Sequence, residues 1–168
     1  MSSFGSNFPW YAIHVKSNHE KKTADALTRK GYECLLPSYR ERRKWSDRTK
    51  VIELPLFPGY VFSRFDVEVR LPILKTPGVL AVAGIGRIPQ PLDTHEIEQI
   101  QRVTAVDHPA QPWPFLKVGQ KVRITAGPLT GVEGLLVQRR GETRVVLSVT
   151  LLEKAISVQV DSDAIHPL

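Results

Sequence analysis

The sequence predicts an α+β sandwich followed by a small all-β, SH3-like barrel. Three observations carry this reading. Strand-like and helix-like runs interleave around a hairpin over residues 1–104. Pro109, Pro112 and Pro114 remove backbone donors and mark residues 105–115 as a semi-rigid linker. Short alternating runs divided by glycine turns fill residues 116–168. A length of 168 residues suits one domain or two small ones, and the proline break decides for two.

The elements follow in order. Trp10 to Val15 alternates and is rich in aromatic and branched residues, so it reads as a strand. Ser17-Asn18-His19-Glu20 has the form of a capping box, and Gly31 suits a helix end, which bounds a helix over about 18–30. Tyr32 to Tyr39 and Val51 to Phe65 read as strands, the second interrupted by Pro58-Gly59. Between them lies a polar, basic hairpin tip with Ser46-Asp47 as its turn. Val67 to Lys75 is weakly amphipathic and is truncated or kinked by Pro72. Asp93-Thr94-His95-Glu96 is a second capping box, followed by Ile97, Ile100 and Val103 at helical spacing. After the linker, Lys121–Thr125, Leu135–Val137, Arg144–Val149 and Ala155–Val160 read as strands, with turns at Ala126-Gly127-Pro128, Gly131 to Gly134 and Arg140-Gly141-Glu142. A domain of this size needs closure of its sheet to bury a core.

Charge is unevenly placed. Lys+Arg number 23 and Asp+Glu 17, a net charge of +6, and the eleven residues Arg40 to Lys50 hold six basic and two acidic groups. One short window therefore supplies two thirds of the excess, while residues 106–168, with seven basic and six acidic groups, are nearly neutral. Trp45 lies amid these cations, an arrangement that suits base stacking in single-strand binders; the alternative is an indole folded back over its own strands.

The exclusions are as informative. At 42% hydrophobic and 24% charged residues, the composition is that of a globular protein rather than a fibrous or disordered one. No apolar run approaches the ~18 residues of a membrane span, and MSSFGSNFPW lacks the form of a secretory signal. One cysteine, Cys34, permits no internal disulfide and sits in an apolar strand, where a buried structural thiol is expected; a reducing, cytoplasmic (bacterial) setting follows. The five histidines are scattered without metal-ligand spacing. No zinc-protease, phosphate-loop, dinucleotide or nucleophile-elbow motif occurs. Neither catalysis nor a metal or other cofactor is expected.

Several runs resemble a known family. Trp10-Tyr11, Leu56-Phe57-Pro58-Gly59-Tyr60-Val61-Phe62 and Thr76-Pro77-Gly78-Val79 occur in the order found in the N-terminal domain of NusG-family transcription factors. Val118 to Ile124, with Gly127-Pro128 and Gly131-Val132-Glu133-Gly134, resembles the KOW motif that follows it, so the likeness covers about residues 9–168. It implies an N-terminal domain that binds the clamp-helix coiled coil of RNA polymerase through an apolar pocket, at Tyr11, Phe57, Pro58, Tyr60 and Phe62. Phe57 and Tyr60 are expected at that interface, whereas Tyr11 and Phe62 serve a core equally well. It further implies that Arg42, Arg43, Lys44, Arg48 and Lys50 at the tip face upstream or non-template DNA. Lys16 and Lys22 resemble positions that read a non-template strand, although Lys22 equally suits a solvated helix face.

In the KOW domain, Val149 to Ala155 matches the loop with which members contact a small-subunit ribosomal protein or a termination helicase, through Leu151, Leu152 and Lys154; one of the two leucines equally suits the barrel core. Glu153 stands where housekeeping members often carry glycine. Glycines and branched residues over 116–168 favour a constitutive barrel over the helical hairpin of some relatives. The short length and the Leu54-to-Tyr60 run resemble specialised paralogues, although Arg70 to Leu74 lacks the polar gate-contacting motif of one such branch. The function implied is a monomeric, non-enzymatic elongation factor that suppresses pausing or termination, with no membrane partner. The alternative is a KOW-type RNA-binding protein of the ribosome, which would need no clamp pocket.

Overall fold

Strand β1 (Trp10–Val15) is buried at every position but His14. The computed structural model describes residues 8–168, so residues 1–7 of the segment read as lacking a secretory signal lie outside the described residues. Helix α1 (Glu20–Arg29) buries Glu20, Thr23, Ala24 and Leu27, the spacing of one helical face. It ends as expected: Gly31, at φ +96°, takes the left-handed position after the helix, and its N–H donates to Thr28. Its start differs. Asn18 turns the chain at φ 65°, His19 becomes the N-cap, and no side chain caps the helix. Ser17 is thereby displaced from the N-cap position, so the capping box predicted over Ser17–Glu20 does not form.

Each of the two long strands predicted around the tip is divided at a proline. The first becomes β2 (Glu33–Leu35) and β3 (Ser38–Trp45), separated at Pro37. The second becomes β4 (Arg48–Pro55) and β5 (Tyr60–Arg64), separated at Pro58-Gly59. A 3-10 turn (Val67–Val69) and helix α2 (Leu71–Leu74) follow, with Pro72 in the first turn, where its missing N–H costs no hydrogen bond. Next come β6 (Val79–Val82), the small pair β7 (Gly84–Ile85) and β8 (Ile88–Pro89), and helix α3 (Thr94–Thr104), which buries Ile97, Ile100 and Val103 as their spacing predicts.

One antiparallel sheet has the order β2-β5-β1-β6. Tyr11, Ile13, Val15, Val61 and Phe65 on one face pack with Ala24 and Leu27 of α1 and Ile73 of α2. The C-terminal region is all-β, as predicted. Strands β9 (Ala110–Trp113), β10 (Lys121–Ile124), β11 (Glu133–Arg139), β12 (Glu142–Val149), β13 (Lys154–Val160) and β14 (Ile165–Pro167) form a sheet in the order β14-β10-β11-β12-β13-β9. Val122, Ile124, Val145, Val149, Ile156 and Val158 are buried in it. The proline-rich stretch is extended, and its Ala110–Trp113 pairs with β13. As the terminal strand of that sheet, β9 tolerates Pro112, which has no N–H to donate.

The chain divides into two compact units. The described residues up to Leu36 and Phe57–Thr94 form one; Pro37–Leu56 and His95–Leu168 form the other. Among the described residues, no helix is long and apolar enough to cross a membrane, and no group of His, Cys, Asp and Glu could hold a metal ion.

Candidate functional site

The turn between β4 and β5 is the first candidate. Antiparallel pairing sets Trp10 opposite Arg64, Ala12 opposite Phe62 and His14 opposite Tyr60, so these six share a sheet face; Tyr11 opposite Ser63 and Ile13 opposite Val61 lie on the other. The five aromatic-site positions are therefore divided. Tyr11 belongs to the helix-covered face, with its ring 4.9 Å from Phe65. Burial first, then the nearby carboxylates of Asp66 and Glu68, pushes its hydroxyl above the ordinary tyrosine range.

Phe57 and Phe62 are each 1% exposed, with ring centroids 5.2 Å apart. Burial of Phe62 realises the core alternative. Phe57, expected at the surface, is instead interior, because its ring is packed on Phe62 in this turn. Pro58 remains exposed and Tyr60 half-buried. Tyr60 stacks on the exposed His14 at 5.2 Å with the rings 27° apart.

Glu20 holds this turn in place. Gly59 lies at φ +86°, a left-handed conformation that glycine adopts without strain. Its N–H donates to Glu20 Oε2 at 2.8 Å, and its carbonyl accepts from Val15 N at 2.8 Å. Glu20 is itself buried, so the carboxylate expected to cap its own helix binds the turn instead. Sequence reasoning missed Glu20 in this role and His14 altogether. The signal for His14 was its alternation with Trp10 and Ala12, which needs the β1–β5 register to become informative.

The hairpin β3–β4 is the second candidate. Among the described residues its strands pair only with each other, and a two-residue turn, Ser46-Asp47, joins Trp45 to Arg48 as predicted. Every residue from Arg40 to Val51 is exposed. The register brings Arg43 opposite Lys50 and Trp45 opposite Arg48 on one face; Arg42 opposite Val51 and Lys44 opposite Thr49 lie on the other. Glu41 pairs with Arg43 at 3.3 Å. Lys16 and Lys22 are also exposed, but they belong to the other compact unit. Cys34, in β2, is half-buried, and burial pushes its thiol above the ordinary range.

The third candidate is the loop between β12 and β13. Thr150–Leu152 form a 3-10 turn, and Glu153 lies at φ 52°, the left-handed region. Glu153 thus occupies a conformation that favours glycine. Leu151 and Leu152 are half-buried and Lys154 exposed. Thr150 donates from its N–H (3.1 Å) and its hydroxyl to the Glu96 carboxylate of α3. The same helix places Gln99 Oε1 2.7 Å from Glu133 N and His95 Nε2 3.4 Å from the Glu133 carboxylate. The Arg123 guanidinium, bonded to Glu133, holds that carboxyl below its usual range. These grips of α3 escaped the sequence reading, in which His95 and Glu96 counted only as helix-start residues.

Comparison with known proteins agrees with this architecture. The family model described as transcription termination factor nusG matches residues 8–101. The transcription termination/antitermination protein NusG of Thermus thermophilus is 28% identical over 90% of this chain and 94% of its own length. The protein of the same name from Deinococcus radiodurans is 26% identical, with 90% and 95% covered. A solved structure of Thermotoga maritima NusG, described as showing domain interaction, superposes with a TM-score of 0.59 over 98% of this chain and 99% of that one; at 21% identity the likeness shows the fold. With more than half its residues matched by the family model, this chain belongs to the NusG family of transcription termination factors.

Proposed function

We propose that the chain is a transcription elongation factor that binds the clamp helices of RNA polymerase through the turn at Phe57–Tyr60 and suppresses pausing or termination. The observation that carries this is the anchored turn. Glu20 and Val15 each bond the Gly59 backbone, Phe57 and Phe62 are interior with their rings packed together, and Pro58, Tyr60 and His14 are left accessible. A partner helix would meet a rigid aromatic pair that needs little ordering on binding, the economy expected of an interface anchor. Favouring the closed clamp would shift polymerase away from its paused state through differential binding alone, with no covalent step.

In this reading the basic hairpin faces upstream or non-template DNA, with Lys16 and Lys22 as further contacts. Leu151, Leu152 and Lys154 meet a ribosomal or termination partner. The Leu54-to-Tyr60 run supports action on selected operons. Replacing Tyr60 by Glu places a charge in the accessible anchor. The expected outcome is loss of polymerase subunits from affinity purification while thermal unfolding followed by circular dichroism stays cooperative. Retention of polymerase would refute the pocket, and recovery of ribosomes alone would favour a ribosomal RNA-binding role.

A further inference from the structure

The sheet face that carries Tyr60 is open beyond the turn. Register sets Tyr60 of β5 opposite His14 of β1, and His14 opposite Ala81 of β6, so one cross-strand rung runs over three strands. Tyr60 is half-buried, and His14 and Ala81 are exposed. The next residues on the same face, Ala12 and Phe62, are buried. In the other direction β5 ends at the Gly59 turn. The accessible zone is therefore a strip along the rung, lying across the strands rather than along them.

A β-bulge lengthens this strip. Between the pairs His14–Ala81 and Val15–Val79, the edge strand β6 holds one extra residue, Leu80. In an unbroken register Leu80 would stand opposite Val15, a residue buried in the helix-covered core. The bulge gives that place to Val79, which packs against the core, and leaves Leu80 51% exposed. Bulges at sheet edges re-aim side chains, and the one released here is a leucine. Pro58, Tyr60, His14, Ala81 and Leu80 together carry no carboxylate, ammonium or guanidinium group.

The strip has the dimensions of a helix. Neighbouring strands lie about 4.8 Å apart, so the rung spans about 10 Å from β5 to β6. Successive turns of an α-helix rise about 5.4 Å. A helix laid across β5, β1 and β6 thus sets one turn over each strand, with residues i and i+7 above the two ends. A helix laid along the strands would have to displace the groups that bury Ala12 and Phe62.

We infer that the polymerase helix met by the Tyr60 turn crosses the strands of this sheet, with Leu80 as a second anchor at the far end of its apolar stripe and His14 and Ala81 beneath its middle. This rests on the reading that the turn binds polymerase, and it adds the direction of the partner and the residue that fixes it. Anchors at the two ends of a short strip hold a helix in one orientation, which a single aromatic contact does not.

The test titrates the full chain, labelled at its N-terminus with a fluorophore, with purified bacterial core RNA polymerase. Leu80→Ala should weaken binding roughly 5- to 30-fold, the value of one interface anchor, and Leu80→Asp should weaken it further. Ala81→Arg should cost as much as Leu80→Ala, because a long cation then stands beneath the helix. Leu80→Met, which keeps the apolar volume, should stay within about threefold of the unaltered chain. Val118→Asp, at an 88% exposed position in the other compact unit, should change affinity less than about twofold. Thermal unfolding should be unchanged in the Leu80 variants, since the side chain is exposed. Unaltered affinity in Leu80→Ala, Leu80→Asp and Ala81→Arg, beside a loss in Tyr60→Glu, would overturn the crosswise direction and leave the Tyr60 reading standing. Normal binding by Tyr60→Glu as well would bring down that reading and this inference together. An equal loss in Val118→Asp would overturn the anchor role of Leu80 by showing that any added surface charge weakens the complex.

Discussion

The β4–β5 turn and the β3–β4 hairpin are neighbours in sequence and opposites in construction. The turn hides most of its aromatic surface: Phe57 and Phe62 are interior, and Glu20 fixes the turn's backbone at Gly59. The hairpin hides nothing from Arg40 to Val51, its indole included. The turn presents Pro58 and Tyr60 on a base held by burial and a part-buried hydrogen bond. In the hairpin, by contrast, the exposed cations and indole sit on a ribbon stabilised mainly by its own cross-strand pairs. Mutation should therefore cost stability in the first region and affinity in the second.

Phe57→Ala should produce the largest effect. Emptying this site removes a fully buried ring, and chemical denaturation should show a loss of about 3–5 kcal/mol. A loss below about 1 kcal/mol would mean that the ring does not support the turn. Glu20→Ala should come next, at about 1–3 kcal/mol, because Gly59 N–H loses its acceptor in a partly buried position. Glu20→Gln keeps an acceptor oxygen and should recover most of that stability; equal losses in the two variants would show that the bond to Gly59 is not what matters.

Replacing Arg42, Arg43 and Lys44 together by Ala should move stability least, by less than about 0.5 kcal/mol, because all three are exposed. The same variant should flatten the salt dependence of nucleic-acid binding by about 0.7–0.9 per lost phosphate contact. An unchanged slope with intact folding would reduce the tip to a solvated loop, and the contrast between the two regions would lose its functional half.

Local chemistry made some of this legible in advance. Ser46-Asp47 between polar strands announced the hairpin, Gly31 announced the end of α1, and Ile97, Ile100 and Val103 announced the buried face of α3. These features depend on residues within one or two turns of each other. Glu20 shows why the remainder was hidden. Its spacing from Ser17 satisfied a capping pattern, but the competing acceptor site lay 39 residues away at Gly59. The left-handed turn at Asn18 removed Ser17 from its role. The aromatic site was hidden for the same reason: Tyr11 and Tyr60 are equally aromatic in sequence, and only the register of β1 against β5 assigns them to opposite faces.

By itself, then, the sequence determined that the chain is an α+β region followed by an all-β one, that its positive charge is gathered at an exposed hairpin tip, and that its motifs are those of the NusG family. These follow from periodicity, turn chemistry and charge placement, which act over short stretches of chain. The tertiary structure decided which aromatics are interior, that Glu20 tethers the Gly59 turn, that α3 grips the loop before β13 through Glu96, and which cations share a face with Trp45. Those outcomes depend on strand register and on pairs far apart in sequence, where a shift of one residue would carry every side chain to the opposite face.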